Sequence, residues 1–74
     1  MISKSRVFDL FHGRRSLHPV ELAIDLGFGT ARDTLYQAAG AVATTCEELV
    51  AEKKLVRVQT ETWGIEYDLP RGRK

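Results

Sequence analysis

The sequence has a single cysteine, two prolines and no long apolar run, and each shortage removes a class of protein. One cysteine, Cys46, makes neither an internal disulfide nor a Cys-rich zinc site, so a reducing compartment is the expected home. No stretch approaches the roughly 20 apolar residues of a membrane helix, and no apolar leader is legible at the N-terminus. A cytoplasmic location without membrane attachment is therefore expected. Neither sign of charge prevails: 11 Lys and Arg stand against 10 Asp and Glu, a formal net charge of +1. Dedicated nucleic-acid binders usually carry a basic excess, and this chain does not.

What is present describes a small folded domain. At 74 residues and 43% hydrophobic, the chain is too apolar for disorder and long enough for one domain, with a core that hides roughly 60% of the unfolded surface. A single domain is expected over residues 1–70, followed by a basic tail at 71–74. Charge is unevenly spread. Lys4, Arg6, Arg14 and Arg15 open the chain against Asp9 alone. Residues 19–52 hold only Arg32 against Glu21, Asp25, Asp33, Glu47, Glu48 and Glu52, and the C-terminal part is basic again. Such a molecule can present one positive face while staying nearly neutral overall.

Hydrophobic spacing predicts the elements. Ser3 or Ser5 can cap a first helix whose apolar side is Val7, Phe8, Leu10 and Phe11, with Gly13 as its stop. Arg14–Leu17 reads as a short extended link. Pro19 suits a first helical turn, and Val20, Ala23 and Ile24, widened by Leu22 and Leu26, form the stripe of a second helix that closes at Gly27. Thr30 and Asp33 resemble a capping box before a third, longer helix, from Ala31 to about Lys54. At 100° per residue Leu35, Ala39, Val42, Cys46 and Leu49 fall in one narrow stripe that keeps its phase across Gly40. Period-two alternation follows in Val56/Val58 and in Ile65/Tyr67/Leu69 around a turn near 61–64, which predicts a hairpin. The fold class is therefore α+β, mainly α: three helices, the third unusually long, and a C-terminal hairpin.

This order resembles the winged helix-turn-helix family of DNA-binding domains over nearly the whole chain. The likeness rests on Leu17-His-Pro-Val-Glu-Leu-Ala-Ile-Asp-Leu-Gly27, similar to the first helix of the motif. It rests also on Glu48-Leu-Val-Ala-Glu-Lys-Lys-Leu-Val-Arg-Val58, similar to a recognition helix running into a wing. The resemblance implies sequence-specific binding of duplex DNA by a small transcriptional regulator, with the start of the third helix in the major groove. Two features depart from the family. The third helix is longer and contains Ala38-Ala-Gly-Ala41, and the wing turn carries Glu61 where a cation is usual.

Carried onto this chain, the resemblance makes Thr30, Arg32, Asp33, Thr34, Tyr36 and Gln37 the residues that face bases. Arg32 suits guanine and Gln37 adenine, each through two hydrogen bonds. Arg14, Arg15, Lys53, Lys54, Arg57, Arg71, Arg73 and Lys74 are the phosphate candidates. Ala39, Gly40 and Val42 are candidates for a homodimer interface. Each has a plainer reading beside it: Arg32 and Gln37 as solvated helix residues, Arg14-Arg15 as a polar loop, the tail as a solubilising end, and Trp63 as a residue packed on the hairpin or the first helix. Glu47, Glu48 and Glu52 on the later wet face of the third helix would repel phosphate, so only its first half can approach DNA.

The remaining chemistry is sparse. His12 and His18 lack a second ligand pair, so no metal is expected. Cys46 sits in the apolar stripe, Glu21 and Asp25 suit a solvated face, and Gly27-Phe-Gly29 lacks the rest of a phosphate loop. No catalytic residue and no cofactor are expected. A protein-interaction module on the same fold is the alternative, favoured by the near-zero charge, the acidic wing turn and the long third helix.

Overall fold

The computed structural model describes residues 2–29, 31–62 and 64–70. Its elements are α1 (Lys4–Asp9), α2 (Pro19–Asp25), α3 (Arg32–Ala51), β1 (Val56–Gln59) and β2 (Ile65–Asp68), the strands paired antiparallel. The fold is α+β and mainly α. α3 runs unbroken through Gly40 for 20 residues, about 30 Å of helix. No described helix is long and apolar enough to cross a membrane.

Local chemistry starts and stops each helix. Ser3 caps α1, its hydroxyl accepting from the Arg6 amide at 3.4 Å. α2 opens on a reciprocal cap: His18 Nδ1 accepts from the Val20 amide at 3.1 Å, and Glu21 Oε1 accepts from the His18 amide at 2.8 Å. Pro19 follows His18, where its missing N–H costs nothing. For α3 the N-cap is Ala31, with no side-chain hydrogen bond; Thr30 of the expected capping box lies outside the described residues.

Two helices end in the same way. After α2, Gly27 takes φ +94°, the Phe28 amide donates to Ala23 O at 3.2 Å, and the Gly27 amide to Ile24 O at 3.0 Å. After α3, Lys53 takes φ +65°, the Lys54 amide donates to Leu49 O at 2.8 Å, and the Lys53 amide to Val50 O at 2.9 Å. Both are Schellman turns, which satisfy the last carbonyls of a helix through a left-handed residue. Glycine enters that region freely; lysine does so against its Cβ.

The core is built on α3. All five residues of the expected stripe are buried, and Ala38 joins them. Val7 and Phe11 from α1 and its following turn, Leu22 and Ala23 from α2, and Leu17, Leu55 and Tyr67 complete the cluster. Burial, and secondarily the neighbouring Glu47 carboxylate, pushes the Cys46 thiol up to about 12, so it packs as a small protonated hydrophobe. Ile24, expected in the apolar stripe of α2, is 44% exposed instead. α2 turns Pro19, Leu22 and Ala23 inward, and that face excludes Ile24.

The register of the hairpin separates its apolar residues. Val56 pairs with Asp68, Arg57 with Tyr67, Val58 with Glu66 and Gln59 with Ile65. Residues opposite one another share a face, so Val56 and Val58 lie with Glu66 and Asp68, away from Tyr67. The apolar residues of the two strands occupy opposite faces, and the side that carries Tyr67 also carries Arg57. The link before α2 adds a bridge to this hairpin: Leu17 and Tyr67 exchange backbone hydrogen bonds of 2.8 and 2.9 Å.

The two helix ends give a paired stability prediction. Lys53→Gly removes the left-handed penalty and raises the free energy of unfolding by about 0.5–1 kcal/mol, whereas Gly27→Ala introduces that penalty and lowers it by about 1–2 kcal/mol. A Cβ at Gly27 meets nothing within 4 Å, so backbone strain alone is measured. Urea denaturation checks both, and equal stability of the three chains would contradict this account of the helix ends.

Candidate nucleic-acid interface

The exposed start of α3 brings the base-facing candidates together in sequence and divides them in space. Arg32, Asp33, Thr34, Tyr36 and Gln37 are all exposed, Tyr36 to 63%; Thr30 lies outside the described residues. Helical spacing puts Arg32 and Tyr36 one turn apart on one flank, and Thr34 and Ala41 on the other. Asp33, Gln37, Gly40 and Thr44 form the crown between them. Arg32 is the one basic residue of α3, and its crown side carries Asp33 and Glu48.

Most of the described phosphate candidates already have partners within the chain. Arg14 Nη1 lies 2.5 Å from Asp25 Oδ2, and Lys54 Nζ lies 3.6 Å from Glu52 Oε1. Lys4 bridges Glu52 at 2.5 Å and Glu48 at 3.9 Å. Among the described residues, no ion pair engages Arg6, Arg15, Arg32 or Lys53. Arg32 and Lys53 stand at opposite ends of α3, about 30 Å apart. Arg71, Arg73 and Lys74 lie outside the described residues, as does Trp63.

Arg57 is the most firmly engaged cation. Its Nε lies 2.9 and 3.0 Å from the two oxygens of Glu47, and its Nη2 also donates to Glu47. The Tyr67 hydroxyl donates to the same carboxylate at 2.5 Å. Register explains the convergence, because Arg57 and Tyr67 are a directly paired couple on the hairpin face that meets α3. The Arg57 hydrogen bonds, then the Tyr67 hydroxyl, hold the Glu47 carboxyl at about 2, well below its ordinary value of 4.5. Burial first, then the bond to Glu47, pushes the Tyr67 phenol up. The Glu47 bond likewise raises Arg57. The resemblance implies a phosphate grip at Arg57 and a repelling surface acid at Glu47; in the fold each neutralises the other.

The homodimer candidates separate by burial. Val42 is fully buried and Ala39 is 9% exposed, so the chain's own core covers both, and only Gly40 reaches solvent. An antiparallel α3 pair crossing at Gly40 would bring Asp33 of each copy near Glu47 of the other and Arg32 near Glu48, so its charges offset one another. A parallel pair would set each acid against its own equivalent. Like charges so placed oppose association.

No family model, curated protein or solved structure matches this chain.

The Glu47 contact makes stability depend on acid. A carboxyl held near 2 against an ordinary 4.5 contributes stability above its ordinary value and loses it as pH falls through the folded one. The native chain therefore weakens progressively from about pH 4.5 to 2, and Glu47→Gln, less stable at neutral pH, shows a shallower decline over that window. Thermal melts at stepped pH check this, and parallel profiles for the two chains would contradict it.

Proposed function

We propose that this chain is a small transcriptional regulator of the winged helix-turn-helix kind, working in the cytoplasm by binding duplex DNA with the first two turns of α3. One observation carries the reading: those turns follow α2 across a tight glycine-bounded turn and leave Arg32, Thr34, Tyr36 and Gln37 in solvent. A helix so presented fits a major groove, where its N-terminal side chains reach base edges. Arg32 then reads guanine and Gln37 adenine. The hairpin is the wing, carried beside α3 by the contact of Glu47 with Arg57 and Tyr67.

The phosphate contacts in this reading are few. Arg15 and Arg6 supply them; Arg14, Lys54 and Arg57 are engaged by carboxylates of the chain, and Lys53 stands at the far end of α3. A homodimer through α3 is not part of the reading, because Ala39 and Val42 are already covered by the chain's own core. A protein-interaction module remains the second reading, favoured by the same internal pairing of cations.

Fluorescence anisotropy of a labelled random duplex, titrated at several salt concentrations, tests the proposal. About two phosphate contacts predict a slope of log K against log salt of about −2. Arg15→Gln lowers the magnitude of that slope by about one, and Arg57→Gln leaves it unchanged. On a selected site, Arg32→Ala costs about 1–3 kcal/mol. Absence of binding at low salt, or an Arg57→Gln slope as reduced as that of Arg15→Gln, would overturn the reading.

A further inference from the structure

The outer edge of β1 lies outside the DNA reading. The two-stranded sheet ends on β1, while β2 is flanked on its far side by Leu17, whose backbone bonds with that of Tyr67. That bridge fixes where the strand bonds point. Tyr67 turns its N–H and C=O towards Leu17, so β1 and β2 bond through the alternate pairs Val56–Asp68 and Val58–Glu66. The Thr60 amide keeps the same phase by donating to Gly64 O at 2.8 Å. Arg57 and Gln59 therefore direct their N–H and C=O groups outward, and among the described residues no backbone group meets them there. Both residues are exposed. Edge strands are ordinarily blunted by lysine, proline, a bulge or a covering segment. β1 is Val-Arg-Val-Gln in unbroken register, and its one charge is held by Glu47 of α3.

We propose that this edge pairs with the same edge of a second copy, antiparallel about a two-fold axis at Val58, joining the two hairpins into one four-stranded sheet. The open backbone groups require an extended strand, which offers donors and acceptors at the matching spacing. Charge selects whose strand it is. β1 is preceded by Lys53 and Lys54 and followed by Glu61, and Glu61 has no ion pair among the described residues. An antiparallel two-fold brings the basic start of each copy against the acidic end of the other, and does so twice. An unrelated strand would have to supply both charges at both ends. Centring at Val58 sets Arg57 opposite Gln59, Val58 opposite Val58, and Glu61 opposite Leu55, between Lys54 and Arg57. Centring at Arg57 would oppose two guanidiniums. Centring at Gln59 would draw bonds from Glu61, which lies past the strand. Pairing about Val58 bonds through strand residues alone and packs valine on valine. The acidic turn of the hairpin then has a role that contact with phosphate does not give it.

The pairing is independent of DNA binding, and two measurements on the full chain test it. Sedimentation equilibrium shows the native chain passing from monomer to dimer as its concentration rises. Gln59→Pro removes an outward N–H that the chain itself does not use, and Glu61→Lys sets like charges at both ends of the pairing. Each weakens the dimer by about tenfold or more, while circular dichroism melts show both variants folded. The second measurement reads the register. In Val58→Cys the two new thiols sit on a directly opposed pair with Cα atoms about 4.5 Å apart, within the span of a disulfide. In Val56→Cys they lie about 13 Å apart. Mild oxidation with diamide therefore cross-links Val58→Cys and spares Val56→Cys, although Val56 is the more exposed residue and random collision would favour it. Cys46 is buried and its thiol is held protonated, so it does not compete. A chain that stays monomeric to about 1 mM would overturn the proposal. So would a dimer that Gln59→Pro and Glu61→Lys leave intact, or cross-linking of Val56→Cys as fast as that of Val58→Cys.

Discussion

The rest of the structure depends on one face of α3. Leu35, Ala38, Ala39, Val42, Cys46 and Leu49 are buried along it, and α1, α2, the link residue Leu17 and the hairpin residue Tyr67 reach the core by packing near that stripe. A chain this short has few apolar side chains to spend, so a helix of 20 residues uses one face for the core and leaves the other bare. The bare face at its first two turns carries Arg32, Thr34, Tyr36 and Gln37. Cavity-forming changes at Val42 or Leu49 would therefore disturb every element at once.

Charge follows the same economy. The near-neutral sum of the sequence is reflected in local pairing: Arg14 with Asp25, Lys4 and Lys54 with Glu52, Arg57 with Glu47. These pairs are solvent-exposed, and their individual contribution to stability is modest. Their larger effect is on availability, since a guanidinium held by two carboxylate oxygens is not free to neutralise a phosphate. The basic residues left over are few and widely spaced. On the proposed reading, attraction to DNA is weak and salt-sensitive, with specificity coming from the α3 surface.

Much of the fold was legible in the sequence because the strongest signal was also the longest. The five-residue stripe of α3 kept a single phase across Gly40, and every member is buried. The hairpin was legible from its alternation and turn, but its register was not, because alternation within each strand does not say which residues will face each other. Pairing put Arg57 opposite Tyr67, and only then does Glu47 become their common acceptor. The His18–Glu21 cap was hidden because histidine is an unusual capping residue, although the His-Pro-Val-Glu spacing carries the pattern. The Leu17–Tyr67 bridge joins residues far apart in sequence, where single-chain periodicity has no reach. Of the candidate site, the exposed α3 positions were legible from helical spacing, while the internal pairing of the cations was not.

The central claim is that the first two turns of α3 are the surface that meets duplex DNA. The most direct measurement is the mapping of backbone amide chemical shifts on the ¹⁵N-labelled chain as an unlabelled random duplex is added at low salt. The account predicts that perturbations concentrate at Arg32–Gln37 and the adjoining turn, with smaller shifts near Arg15. Perturbations confined to the hairpin or the basic C-terminus, with Arg32–Gln37 unmoved, would contradict it.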